Sequence, residues 1–119
     1  MIWPEVLTAF LCGSIAADGH VGDYVEVIKT SELERAEEVR DVLRNAGLKV
    51  RLTEAGRRAL GARQAYRVRL LYRGDQWAIL YWSIKKWSME KWLGRYKLER
   101  LEKLIGLGIQ QPLTGQVGP

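Results

Sequence analysis

Residues 11–19 read Leu11-Cys12-Gly13-Ser14-Ile15-Ala16-Ala17-Asp18-Gly19, a run of small and apolar residues whose single charge is Asp18. They end a mostly apolar stretch that starts at Ile2. Pro4 suits the first turn of a helix, and Val6, Leu7, Phe10, Leu11, Ser14 and Ile15 hold helical spacing behind it. Asp18-Gly19 ends that helix, with Gly19 expected in the left-handed conformation that closes many helices. The stretch has no basic leader, carries Glu5 and is shorter than a membrane span. It therefore reads as a buried helix. With no targeting signal visible, the expected location is cytoplasmic, with no membrane among the partners.

Outward from this stretch, residues 20–29 read as two short strands around a turn at Gly22-Asp23, the second being Tyr24-Val-Glu-Val-Ile28. Ser31-Glu-Leu-Glu34 has the spacing of a capping box. After it, Leu33, Ala36, Val39, Leu43 and Ala46 form one apolar stripe that Gly47 closes. Leu48 to Thr53 alternates as a half-buried strand, and residues 54–64 read as a mobile basic loop. Tyr66, Val68, Leu70 and Tyr72 then alternate with Arg67, Arg69, Leu71 and Arg73 in a further strand. A helix is expected from Asp75 to about Trp87 and a last one from about Glu90 to Ile105. Trp77, Trp82, Trp87 and Trp92 recur every five residues. That period fits no single helix face, so they read as separate anchors. The order α-β-β-α-β-β-α-α makes the chain an α+β protein, one domain over residues 1–105 with a flexible tail at 106–119.

The chain has 119 residues and a formal charge of +5, a length suited to one domain with one core. A single cysteine, Cys12, excludes an intramolecular disulfide framework and a multi-cysteine zinc site. A single histidine, His20, argues against a histidine metal cage. Charge is concentrated: residues 47–73 set eight basic side chains against Glu54 alone. Lys49, Arg51, Arg57, Arg58, Arg63, Arg67, Arg69 and Arg73 thus crowd one stretch of expected strand and loop, the pattern of a phosphate-binding surface.

Residues 11–19 resemble the nine-residue signature of the LAGLIDADG homing endonucleases. Leu11, Gly13, Ile15, Ala17, Asp18 and Gly19 match it at six of nine positions. The element order agrees with the αββαββα core of that family, extended here by a C-terminal helix, and the resemblance spans about residues 5–105. It implies an antiparallel DNA-binding sheet and a homodimer. One signature supplies one helix, and in this family two such helices pack along a pseudo-twofold axis. Ala9, Gly13 and Ala17, at small-xxx-small spacing, are the interface residues that the resemblance assigns.

The resemblance also implies a chemistry: Mg²⁺-dependent hydrolysis of both strands of a specific DNA site. It assigns the metal to the Asp18 carboxylate, with the Ala17 carbonyl as a further ligand. Lys97, after the last strand, and Lys29, at the end of the second strand, take the places of residues that assist catalysis. Tyr24, Glu26, Lys49, Arg51, Thr53, Arg67 and Arg69 would face the major groove, where Arg suits guanine and Glu suits the cytosine amine. The loop holding Arg57, Arg58 and Arg63 would hold phosphates. The sequence departs from the signature at Cys12, Ser14 and Ala16, the last replacing its first acidic residue.

Two other functions fit the same residues. One is a DNA-binding regulator or RNA-splicing maturase that uses the scaffold without cutting. The other is an α/β dimer whose basic sheet binds an acidic partner.

Overall fold

The computed structural model describes residues 1–55 and 63–106. Helix α1 spans Glu5–Asp18 and buries Thr8, Leu11, Cys12 and Ile15, a single inward face at helical spacing. The Thr8 hydroxyl, inside that face, donates to the Pro4 carbonyl at 2.9 Å. Strands β1 (His20–Val21) and β2 (Val25–Thr30) form the expected hairpin. Helix α2 (Leu33–Asn45), strands β3 (Val50–Ala55) and β4 (Ala65–Leu70) and helix α3 (Gln76–Lys86) follow. The sheet is antiparallel throughout, in the order β1-β2-β4-β3. The described residues form an α+β fold with four strands and helices gathered on one side of the sheet.

The register explains the two-sided sheet. Ile28, Val68 and Leu52 make one row across β2, β4 and β3, and Val25, Leu70 and Val50 make another. Both rows pack into the core, beneath α1 and α2. The rows between them, Lys29–Arg67–Thr53 and Glu26–Arg69–Arg51, therefore face the other way, because side chains alternate along a strand. A bulge between Glu26 and Ile28 lets both Val27 and Ile28 reach the interior.

Several local expectations change. Gly19 is extended, at φ −106° and ψ −165°, rather than left-handed. Glycine is required there by proximity, since an added Cβ would meet Glu26 O at 2.3 Å and Val27 O at 2.8 Å. The capping box at Ser31 does not form: α2 has no side-chain cap, and the Glu32 amide instead donates to Thr30 Oγ1 at 3.1 Å. The stripe of α2 narrows to Ala36, Val39 and Leu43, with Leu33 and Ala46 exposed at the ends. Gly47 does close the helix, at φ +91°. Its amide donates to Arg44 O at 2.9 Å and that of Leu48 to Leu43 O at 3.0 Å, a Schellman pair.

The last expected helix is two: α4 (Glu90–Leu93) and α5 (Arg95–Leu104), separated by Gly94 at φ +95°, a value no helix accommodates. Trp77 and Trp87 anchor their helices through indole hydrogen bonds, to Leu70 O at 2.7 Å and Trp3 O at 2.9 Å, while Trp82 and Trp92 are exposed. Gln76 braces the far end of the sheet. Its buried amide accepts from Lys49 N and donates to Lys49 O, each at 2.8 Å, and donates to Leu71 O at 2.9 Å. The expected tail beyond Gly106 and most of the expected basic loop lie outside the described residues.

Candidate nucleic-acid interface and helix-end site

The end of α1 collects two of the sequence-derived candidates. Asp18 is its last residue and is exposed, with Arg35 of α2 as ion partner at 3.7 Å. Both side chains are about half exposed, so the pair holds Asp18 only weakly. Lys97 of α5 reaches the same turn from the other side. Its ammonium donates to Ile15 O at 2.6 Å, Ala16 O at 3.0 Å and Gly19 O at 3.4 Å. A cation on the last carbonyls of a helix satisfies orphan acceptors and opposes the negative end of the dipole. Lys97 therefore fastens the turn that carries Asp18, with all three protons committed. The Ala17 carbonyl is not among its acceptors. Lys29 is elsewhere: it stands exposed on the sheet face opposite Arg67.

Among the described residues nothing covers the outer face of α1. Val6, Phe10, Gly13 and Ala17 are exposed there and Ala9 is half-buried. A Cβ on Gly13 would meet nothing within 4 Å. Beside this face a groove of ≈ 830 Å³ runs between α1 and α2, lined by Phe10, Gly13, Val39 and Val42 with Asp18 and Arg35 at its polar margin.

The uncovered sheet face gathers Lys29, Arg51, Thr53, Arg67 and Arg69 through the two outward rows. Lys49 and Arg63 lie exposed just before β3 and β4. Arg57 and Arg58 lie outside the described residues. Glu26 and Tyr24 share the face but turn toward their neighbours. The Glu26 side chain is only 6% exposed and lies 3.6 Å from Arg67 Nε. The Tyr24 hydroxyl accepts from Arg67 Nη1 at 3.2 Å, and its ring lies under the Arg69 guanidinium at 3.7 Å. The expectation that Glu26 reaches outward to a base is thereby corrected: Arg67 neutralises its carboxylate inside the protein.

Sequence reasoning missed Arg35 as the partner of Asp18 and Ser14 as a tie. The Ser14 hydroxyl donates to Val27 O at 2.8 Å, joining α1 to the bulge of β2. Neither has a signal in the spacing, since each contact joins elements distant along the chain.

These features define a class: a helix-backed antiparallel sheet with an open basic face and an acidic residue at the end of a half-bare helix. A family model described as a LAGLIDADG-like domain matches residues 5–81. The chain belongs to the LAGLIDADG-like family, which places it among the homing endonucleases and maturases, and membership implies DNA binding. The matched segment stops inside α3, so α5 and Lys97 lie beyond it. Neither the curated proteins nor the solved structures contain a significant match. No helix among the described residues is long and apolar enough to cross a membrane.

Proposed function

We propose that the chain is a site-specific double-strand DNA endonuclease that works as a homodimer with Mg²⁺. The observation that carries this reading is the coincidence of two features on one helix: α1 has an apolar small-residue face that no other described residue covers, and it ends in an exposed carboxylate. Two copies joined along Val6, Ala9, Phe10, Gly13 and Ala17 bring two Asp18 residues together and align two basic sheet faces along one duplex. The interface is isologous, as a twofold dimer requires.

The donor chemistry at this end suits Mg²⁺, which prefers carboxylate and carbonyl oxygens and keeps several waters. Among the described residues no group of three or more His, Cys, Asp or Glu is placed to hold a metal. One copy thus offers only Asp18 and the Ala17 carbonyl, and phosphate, water and the second copy must complete the set. Bound there, the metal supplies Lewis-acid polarisation of the phosphate and an acidified water. The chain's own residues do the rest. Lys97 fixes the turn that presents Asp18, Arg35 balances its charge while no metal is present, and Lys29, Lys49, Arg51, Thr53, Arg63, Arg67 and Arg69 hold the duplex.

Asp18→Asn keeps the shape and loses the charge, so cleavage of a plasmid library in Mg²⁺ should disappear while duplex binding stays within about threefold. Sequenced cut ends from the wild type give the site. A wild type that binds one site tightly yet cuts nothing in Mg²⁺ or Mn²⁺ would replace this reading with the non-cleaving one. The full commitment of the Lys97 protons to backbone carbonyls and Ala16 in place of an acidic residue both favour that alternative.

A further inference from the structure

The basic side chains of the open sheet face are not held alike. Lys29, Lys49, Arg51 and Arg63 are exposed, free to follow a phosphate wherever it lies. Arg67 and Arg69 are half-buried and braced by two neighbours. Tyr24 lies under the plane of Arg69 at 3.7 Å and ties Arg67 through its hydroxyl at 3.2 Å. Glu26 closes on Arg67 from beneath, diagonally across the β2–β4 pair, since its register partner is Arg69.

The two braces leave the arginines in different states. Arg67 has one terminal nitrogen on Tyr24 and its Nε beside Glu26. Arg69 is held by a stack, which occupies the face of the guanidinium and not its edge. The Nε of Arg69 and that of Arg67 are both buried without a hydrogen-bond partner among the described residues, so the two side chains differ in what holds the rest of the guanidinium and not at Nε. A cation meant only for phosphate needs no fixed orientation, because a point charge attracts from any rotamer. A cation that reads a base must present its two donors in one plane before the duplex arrives, or the ordering cost erodes the discrimination.

We propose that Arg69 is a specificity-determining contact that reads a guanine through its O6 and N7 in the major groove, with Tyr24 and Glu26 as positioning residues. Tyr24 fixes the plane of the guanidinium. Glu26 holds Arg67 aside, so that Arg67 neither displaces Arg69 from the ring nor competes for the base. The proposal rests on the sheet being the DNA face. It adds that the face divides into one fixed reader and a surround of phosphate contacts.

The test selects binders from a pool of randomised duplex DNA in EDTA, sequences them, and measures the salt dependence of the selected duplex. Wild-type protein should enrich guanine at one position, repeated in the other half-site of a dimer. Arg69→Lys keeps the charge and the salt slope but should lose that preference by about tenfold, the usual discrimination of a bidentate arginine. Tyr24→Leu should lose it as well, and Tyr24→Phe should restore it, since the ring and not the hydroxyl sets the plane of Arg69. Thermal melts identify any variant that fails to fold, and Arg69→Lys carries the test if Tyr24→Leu does so. Full guanine preference in Arg69→Lys or in folded Tyr24→Leu overturns the proposal. Salt-dependent binding by the wild type with no guanine enriched overturns it too, while leaving the DNA-binding reading intact. Absence of binding to any duplex overturns both.

Discussion

A Cβ added to Gly13 meets nothing within 4 Å, whereas one added to Gly19 lands on the backbone oxygens of Glu26 and Val27 at 2.3 and 2.8 Å. Both glycines belong to the same nine-residue stretch, and neither has a positive φ. Gly19 is on the side of α1 that the chain itself closes, where the helix end abuts the bulged strand β2. Gly13 is on the side that the described residues leave open. The difference teaches that the signature packs tightly on one side and leaves its other side uncovered among the described residues. Inward, Leu11, Cys12 and Ile15 are fully buried, and outward, Val6 is 83% exposed. A helix with solvent on one apolar side gains further burial only from something outside the described residues.

The largest effect should come from the closed side. Gly19→Ala forces its methyl group into two strand carbonyls that the β2–β4 ladder holds in place. Overpacking against backbone costs about 3 kcal/mol, so the melting temperature should fall by more than about 10 °C. An unchanged melt would mean that the α1–β2 junction yields easily and that the comparison fails at its closed end.

On the open side the sign should reverse for the isolated fold. Gly13→Leu has free space in the single chain, and leucine is the better helix former by roughly 0.5–1 kcal/mol. The folded monomer should hold or gain stability, while the proposed dimer should weaken by about 1–3 kcal/mol if two close backbones are pushed apart. Light scattering across a dilution series, read beside a melt, separates the two effects. A wild type that stays monomeric at micromolar concentration breaks the outward half of the comparison.

The smallest effect concerns Cys12, on the closed side between Leu11 and Gly13. Burial disfavours its thiolate and pushes the thiol up from 9.0 to about 11. The unfolded chain ionises at the ordinary value and the folded one does not. The stability tied to the neutral thiol is thus fully present below pH 9 and is lost as pH rises toward the folded value of about 11. Near pH ~10 the loss is about 1 kcal/mol. Denaturant midpoints of the wild type should therefore fall more steeply in alkaline buffer than those of Cys12→Ala. Equal slopes would show that the thiol reaches solvent and that the inward face is looser than its burial indicates.

The sequence by itself determined the element order as far as α3, the hairpin at Gly22-Asp23, the closure of α2 at Gly47 and the α+β class. Each of these rests on local signals: periodicity, turn residues and a glycine at a helix end. It also singled out Asp18 and the basic strands, because a signature and a charge cluster are both contiguous in sequence. Only the tertiary structure decided which charges are outward. Glu26 and Arg67 are separated by the whole of α2 and β3 along the chain, yet the β2–β4 register and a bulge bring them to 3.6 Å. The same holds for Lys97, which reads as a solvated helix lysine or a catalytic aid until α5 folds back and sets its ammonium on the carbonyls of α1. The break at Gly94 escaped because an apolar pattern on both sides masks a single residue whose φ of +95° ends one helix and starts the next. Long-range register and the direction of a side chain are set by which elements pack together, and no local window of residues contains that information.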